Sequence, residues 1–162
     1  MSSSTGIELI YAVAAYKEVI RNLMQFYVYD FSGYVDYDVE ENGLFGAYPG
    51  LDDYWKEPAD KFPYIIKKGG KYAGFALVKA TRSEREAFSI AEFFILKKYR
   101  EQGIGKAVAT QLFGLYKGFW EIHQRQNNQP AQQFWIKVIS DYTKRQFSDR
   151  FENGRRIQYF RS

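Results

Sequence analysis

The chain contains no cysteine, which excludes thiol nucleophiles and disulfide staples and fits a reducing compartment. It has one histidine, His123. A zinc site would then need carboxylates for its other ligands, so no metal is expected. No apolar run reaches the ~18 residues of a membrane span. The opening Met1-Ser2-Ser3-Ser4-Thr5-Gly6 lacks the basic and apolar regions of a secretory signal, and the expectation is a cytoplasmic protein. Low-complexity tracts, internal repeats and interdomain linkers are missing too. With 162 residues, the chain reads as a single domain over 1–162.

Charge and aromatic rings are present in quantity. The formal net charge is +4, with charged residues interspersed rather than blocked. This fits a solvated surface, or a partner that carries phosphates. Aromatic residues make up 19%, including fourteen tyrosines. That is more phenol than a core readily buries, because each buried hydroxyl needs a hydrogen-bond partner.

The pattern along the chain predicts a strand at Ile7–Val13 and a helix from Ala14 to about Tyr29, where Val19, Ile20, Leu23, Met24, Phe26 and Tyr27 recur at helical steps. A long irregular stretch from Phe31 to Pro63 follows. It holds five glycines and prolines before Asp52, and Tyr34, Tyr37, Tyr48, Tyr54 and Trp55 read there as pocket walls. Strands at Phe62–Lys68 and Lys71–Val78 flank Gly69-Gly70, a hairpin signal. Thr81–Ala87 reads as a connection, and Phe88–Leu96 as a central, nearly all-apolar strand. A helix with Ile104, Val108, Leu112 and Leu115 on one face follows, stopping near Gly118, and then a strand at Phe119–Gln124. Pro130 suits the first turn of a further helix carrying Ala131, Phe134, Trp135 and Val138. Tyr142–Phe151 and Arg155–Phe160 read as a closing hairpin. This order predicts an α/β fold: a mixed sheet of six to seven strands with helices on both faces.

The chemistry centres on the stretch from Glu92 to Lys106. An apolar strand runs into a basic segment, and Gly103-Ile104-Gly105 then opens a helix. Glycines at a helix start let backbone amides approach an anion closely, and the unpaired first-turn N–H groups favour negative charge. Arg100 and Lys106 add mobile positive charge, and a pyrophosphate is the natural ligand. The spacing fits neither a Walker loop nor the dinucleotide fingerprint.

Arg100-x-x-Gly103-x-Gly105 resembles the Arg/Gln-x-x-Gly-x-Gly/Ala signature of the GNAT acyl-CoA N-acyltransferases. Downstream, Asn128-x-x-Ala131-x-x-Phe134-Trp135-x-Lys137 resembles a second block of that family. The two together cover roughly Lys71 to Ile139, and the element order covers the whole chain. The resemblance implies acetyl-CoA as co-substrate and transfer of its acetyl group to a primary amine of a small molecule or peptide, by direct attack in a ternary complex. It implies that the backbone of Phe93, Phe94 and Ile95 pairs with the pantetheine arm, with the Ile95 amide facing the thioester carbonyl. It assigns the pyrophosphate to Arg100, Glu101, Gln102, Gly103, Ile104, Gly105 and Lys106, and the pantetheine also to Asn128 and Phe134.

An amine acceptor must lose a proton, and Glu92 and Glu121 are the candidate bases, each on a strand beside the implied thioester. His123 shares a strand face with Glu121. Two features depart from the family pattern. Trp135 stands where many members carry a tyrosine thought to protonate the leaving thiolate, and Val138-Ile139 replaces a Gly-Phe turn, which suggests a longer helix. The alternative reading is therefore a weak or inactive acetyl-CoA binder with a sensing or scaffold role. Nucleic-acid binding is the least favoured reading. The acids Asp36, Asp38, Glu40, Glu41, Asp52 and Asp53 mildly favour a cationic acceptor or are simply solubilising, and the final hairpin could pair with a second copy in a homodimer.

Overall fold

A computed structural model describes residues 6–82 and 85–162. The expectation about a secretory signal at residues 1–5, and the middle of the connection read at Thr81–Ala87, lie outside the described residues. Seven strands form one mixed sheet in the order β1-β2-β3-β4-β5-β7-β6. The chain divides into two compact units, Met1–Val78 with Glu92–Glu101, and Lys79–Ala91 with Gln102–Ser162, so β3 and β4 each run through both.

In the first unit, β1 (Ile7–Tyr11) pairs antiparallel with β2 (Lys61–Lys68), from Ile7↔Lys68 to Tyr11↔Tyr64. Gly69 and Gly70, at φ +56° and +78°, make the tight turn into β3 (Lys71–Arg82). Ile65, Ile66, Ala73 and Phe75 through Val78 are wholly buried, as expected of strands covered on both sides. Helix α1 (Lys17–Phe31) follows a short 3-10 turn at Ala14–Tyr16. It buries Ile20, Leu23 and Met24, one stripe at i, i+3 and i+4, whereas Phe26 is 56% exposed and leaves the predicted face. The long segment beyond α1 contains a single turn of helix, α2 (Asp53–Lys56). It is tied to α1 by Gln25, whose amide donates to the Phe45 carbonyl (3.0 Å) and accepts from the Phe45 N–H (2.9 Å).

The second unit carries the beginning of β4 (Glu86–Ile95), β5 (Phe119–Arg125), β6 (Ser148–Glu152) and β7 (Arg155–Arg161). β4 meets β5 in parallel at Phe88↔Trp120, β5 runs antiparallel to β7, and β7 to β6. Strands β3 and β4 reach into the stretch read as a connection at Thr81–Ala87, where Arg82 pairs with Glu86 and the Thr81 hydroxyl donates to the Ala87 carbonyl at 3.0 Å. Helix α3 (Ile104–Leu115) buries Ile104, Val108, Ala109, Leu112 and Phe113, and Phe113 meets Phe160, Trp120 and Tyr142 at 4.9, 5.0 and 5.3 Å. Leu115, expected on that face, is 55% exposed. Helix α4 (Gln129–Thr143) extends past the point where the closing hairpin was expected to start. Val138 and Ile139 are buried where the family block would turn, so Tyr142 is helical.

Buried glutamine amides inside this unit are paired. The Gln124 and Gln158 amides exchange hydrogen bonds at 2.6 and 3.0 Å, and Gln158 also donates to Asp149. Asp149 accepts a two-pronged contact from Arg156, at 3.0 and 2.6 Å. The Arg156 bond, seconded by Gln158, holds the Asp149 carboxyl below the usual carboxylate range. A carboxyl whose folded pKa is depressed adds stability above its unfolded pKa, near 4, and loses it as pH falls through the folded value. Asp149→Asn is therefore expected to flatten the acid side of the stability curve, measured as urea midpoints from about pH 6 down to 2.

Candidate active site

Strand β4 lays down the first group of site residues. The side chain of Phe94 enters the core of the first unit, where its ring meets Tyr27 at 5.6 Å and Phe75 at 5.9 Å. Alternation along the strand places Glu92 on that same face and Phe93 on the other. Glu92 is half-buried, and Tyr48 donates to its Oε1 at 3.1 Å. The Tyr27 hydroxyl stands near the same carboxylate. Burial first, and the Glu92 charge second, push the Tyr27, Tyr48 and Tyr54 hydroxyls far above the ordinary phenol range. At any working pH these hydroxyls keep their protons and serve as donors. The arrangement is an anchored carboxylate on a strand, oriented by the Tyr48 phenol and able to accept a proton.

Beyond Glu92 the backbone is shaped by one glycine. A Cβ on Gly74 of β3 would stand 1.9 Å from the Phe94 carbonyl oxygen and 3.1 Å from the Ile95 Cα. The two strands thus run closer than any side chain allows. The Leu96 N–H donates to Ala73 at 2.7 Å. The Ile95 carbonyl accepts from Arg100 Nε at 2.8 Å, and the other end of that guanidinium meets Asp30 at 2.7 Å. Arg100, assigned to the pyrophosphate by the resemblance, is held inside the first unit as a clamp between β4 and the end of α1.

Tyr48 also lines a cavity of about 360 Å³, together with Arg21, Met24, Gln25, Leu51 and the Asp52–Asp53 pair among others. Of the aromatics read as pocket walls, Tyr48 faces this cavity. Tyr54 is 5% exposed, and Trp55 Nε1 donates to the Ala12 carbonyl at 2.8 Å, so these two pack the unit. Asp52 pairs with Lys17 (2.8 Å) and Asp53 with Lys61 (3.7 Å). The acids closest to the cavity are therefore already neutralised, which removes much of the reason to expect a cationic acceptor there.

The second unit holds the glycine loop. Gly103 (φ 79°) is left-handed and is the N-cap of α3, and Glu101 (φ 60°), the last residue of the first unit, is left-handed too. Having no side chain, Gly103 leaves the first-turn amides of α3 uncapped, and a Cβ there would meet nothing within 4 Å. Space and open donors are what a diphosphate needs. Lys106 pairs with Asp141 at 2.8 Å, a bond that holds the Asp141 carboxyl below its ordinary range. Asn128 caps α4, its Oδ1 accepting from the Ala131 N–H at 3.1 Å, with Pro130 in the first turn as expected. Phe134 is half-buried and meets Trp135 edge-on at 4.9 Å, and Trp135 is 7% exposed. Glu121 lies 3.7 Å from His123 Nε2 on β5. Burial lowers the His123 pKa more than Glu121 raises it, so the imidazole is neutral at neutral pH.

The structure thus gathers Glu92, Phe94, Ile95 and Arg100 in the first unit, and the run from Gln102 to Lys106 on one loop and helix start in the second. Sequence reasoning missed Tyr48 as the donor to Glu92, Tyr27 as its neighbour, Asp30 as the partner of Arg100, and Gly74 as the contact that sets the β3–β4 spacing. A glycine within an apolar strand was a usable sign of close backbone approach. Nothing local connects Tyr48 with a residue on β4. Among the described residues, no cluster of three or more His, Asp or Glu is placed to hold a metal, and no helix is long and apolar enough to cross a membrane.

Residues 20–138 match the acetyltransferase (GNAT) family. No curated protein matches the chain. Among solved structures, the chain is similar to the PaiA N-acetyltransferase of Thermoplasma acidophilum in complex with coenzyme A (TM-score 0.66, 13% identity, 96% of this chain and 99% of that one). It is also similar to a Salmonella typhimurium acetyltransferase that modifies the N-terminal serine of ribosomal protein L7/L12 (0.64, 16%, 98% and 96%). A third is the spermidine N-acetyltransferase of Vibrio cholerae in complex with CoA and spermine (0.63, 11%, 96% and 95%). At these identities the neighbours speak for the fold alone, and they agree with the seven-stranded mixed sheet. The family match spans well over half of the chain, and with both motifs in place the chain belongs to the GNAT acetyltransferase family.

Proposed function

We propose that the chain is an acetyl-CoA-dependent N-acetyltransferase acting on a primary amine of a small molecule or peptide. The observation that carries this reading beyond family membership is the Glu92 carboxylate, held by Tyr48 at 3.1 Å with the Tyr27 hydroxyl nearby. A chain that only bound the co-substrate would have no use for a carboxylate oriented in this way. Acetyl-CoA supplies an activated acyl group on a good leaving thiolate. Glu92 takes the proton that an alkylammonium must lose before its nitrogen can attack. Tyr48 orients the carboxylate, and both phenols keep their own protons. The Ile95 amide is the oxyanion donor in this reading. The uncapped amides of Ile104, Gly105 and Lys106, with Gln102 and Gly103, hold the diphosphate, and Asn128 and Phe134 hold the pantetheine.

A second reading is favoured by one residue. Trp135 is buried and offers an indole N–H that does not transfer its proton in the working range, so the thiolate leaves without an acid at that position. On this reading the protein binds acetyl-CoA and transfers slowly or not at all.

Gly103→Val tests the cradle. Valine strongly disfavours φ 79° and adds bulk beside the open amides. The wild-type chain at 100 times its Kd for acetyl-CoA is expected to gain about 2.7 kcal/mol, seen as a rise in Tm, and the variant to gain almost nothing. An undiminished shift in the variant sinks the cradle assignment. Thiol release across a panel of amines then separates transfer from binding alone.

A further inference from the structure

Asp30 stands where a carboxylate is disfavoured. It lies in the last turn of α1, where the helix dipole opposes negative charge, and no basic residue of that turn offsets it. Its counter-charge comes from 70 residues away, where Arg100 meets it at 2.7 Å. The pair is part-exposed, with 55% of the Asp30 side chain and 37% of the Arg100 side chain open to solvent. An ion pair so placed adds little to stability. Stability is thus a poor reason for an acid here, and the better reason is what Arg100 holds.

The other end of the guanidinium holds main chain. A 3-10 turn at Lys97–Tyr99 folds the chain back, so that Arg100 Nε reaches the Ile95 carbonyl, five residues earlier, at 2.8 Å. The N–H of that same peptide, belonging to Leu96, donates to the Ala73 carbonyl at 2.7 Å. Both polar ends of the Ile95–Leu96 peptide are therefore fixed. On the other side of Ile95, the Phe94 carbonyl lies at the close approach set by Gly74. Ile95 is bounded on both sides, and its amide has little freedom to tilt. Three residues before Asp30, and so on the same face of α1, Tyr27 stands near Glu92 and meets the Phe94 ring at 5.6 Å. Helix α1 thus steadies the end of β4 at two points.

We infer that Asp30 and Arg100 are a positioning pair for acetyl transfer: they fix the Ile95 main chain, whose amide receives the charge that develops on the thioester oxygen, and Arg100 is not a ligand of the diphosphate. The inference rests on the oxyanion role given to Ile95 above. Such a donor works only when held at hydrogen-bond distance from the developing charge, and a small displacement costs rate rather than affinity. The two roles open to Arg100 therefore part in kinetics. Loss of a phosphate ligand raises the Kd for acetyl-CoA, whereas loss of a positioning residue lowers kcat.

The test uses the full chain. Arg100→Met keeps most of the apolar stem and removes both bonds. It is expected to lower kcat on an accepted amine by about tenfold to a hundredfold, and to leave the calorimetric Kd for acetyl-CoA within about twofold. Asp30→Ala, which leaves Arg100 without its anchor, is expected to lower kcat by about three- to tenfold. The double variant should be no slower than Arg100→Met alone, because the two residues act as one unit. Tm should change little in all three, which a general packing defect would not allow. Exchange of the Leu96 amide, followed by NMR without acetyl-CoA, should quicken by about threefold or more in both single variants. A Kd raised tenfold with kcat retained would return Arg100 to the diphosphate. Unchanged kcat in Asp30→Ala, additive losses in the double variant, or unchanged Leu96 exchange each overturn the pair. A wild-type chain that transfers to no amine sinks the transferase reading by itself. The exchange measurement needs no turnover, and it then decides whether the pair fixes Ile95.

Discussion

Replacing Glu92 by glutamine lowers kcat on an accepted amine by about 10²- to 10⁴-fold, the usual range for a lost general base. Acetyl-CoA affinity should be unchanged, because no diphosphate or pantetheine contact is assigned to this side chain. Glutamine has nearly the same shape, and its carbonyl oxygen can still accept from Tyr48, so the local packing survives. What it lacks is the ability to hold the ammonium proton. The comparison is steady-state thiol release against calorimetric titration with acetyl-CoA. If the variant turns over at the wild-type rate, the base lies elsewhere, and Glu121, 3.7 Å from His123, becomes the residue to replace. Raising the pH supplies more free amine from solution. Part of the lost rate should therefore return in the variant at alkaline pH, which a merely structural defect would not show.

Gly74→Ala should unfold the protein at markedly lower urea, with a loss of at least about 3 kcal/mol. The added methyl would lie 1.9 Å from the Phe94 carbonyl oxygen, and that oxygen is main chain, without a rotamer to move aside. Relief requires β3 and β4 to separate along the segment that carries Phe94 and Ile95. Any surviving folded variant should consequently lose activity as well. Gly114 is the control. It lies in α3 with nothing within 4 Å of an added Cβ, so Gly114→Ala should stabilise by up to ~1 kcal/mol through helix propensity. Urea midpoints at constant m-value decide both. A Gly74→Ala protein as stable as the wild type would show that the strands are not held at that spacing.

The elements with strong periodicity were legible in the sequence: the Gly69-Gly70 hairpin, the apolar β4 strand, the stripe of α1 and the glycine start of α3. Each is encoded within a dozen residues by alternation, helical spacing or turn chemistry. What was not legible depends on contacts distant in sequence. Tyr48 and Glu92 are 44 residues apart, and Arg100 and Asp30 are 70 apart. No spacing rule joins such pairs. The end of α4 was misread for a related reason: Tyr142 favours strands locally, but its ring is claimed by Phe113 and Phe160, which keeps the helix going. Charge was also legible only in sum. The sequence showed the acids of the 31–63 segment, and the structure showed that Asp52 and Asp53 already face lysines.

Gln25 has a consequence that reaches beyond packing. Its side chain bonds both backbone groups of Phe45, much as a neighbouring strand would. One long excursion is thereby divided into two shorter spans, 32–44 and 46–52, each closed at both ends. Loop-closure entropy grows only slowly with length, so either span can gain or lose residues at small thermodynamic cost. Because the staple lies between them, a change in one need not be transmitted to the other. Tyr48 and Leu51, which line the cavity together with residues of α1 and α2, sit in the second span, and the acids Asp36, Asp38, Glu40 and Glu41 in the first. The segment is built so that the first span can diversify in length and sequence while the one bearing Tyr48 keeps its place beside Glu92.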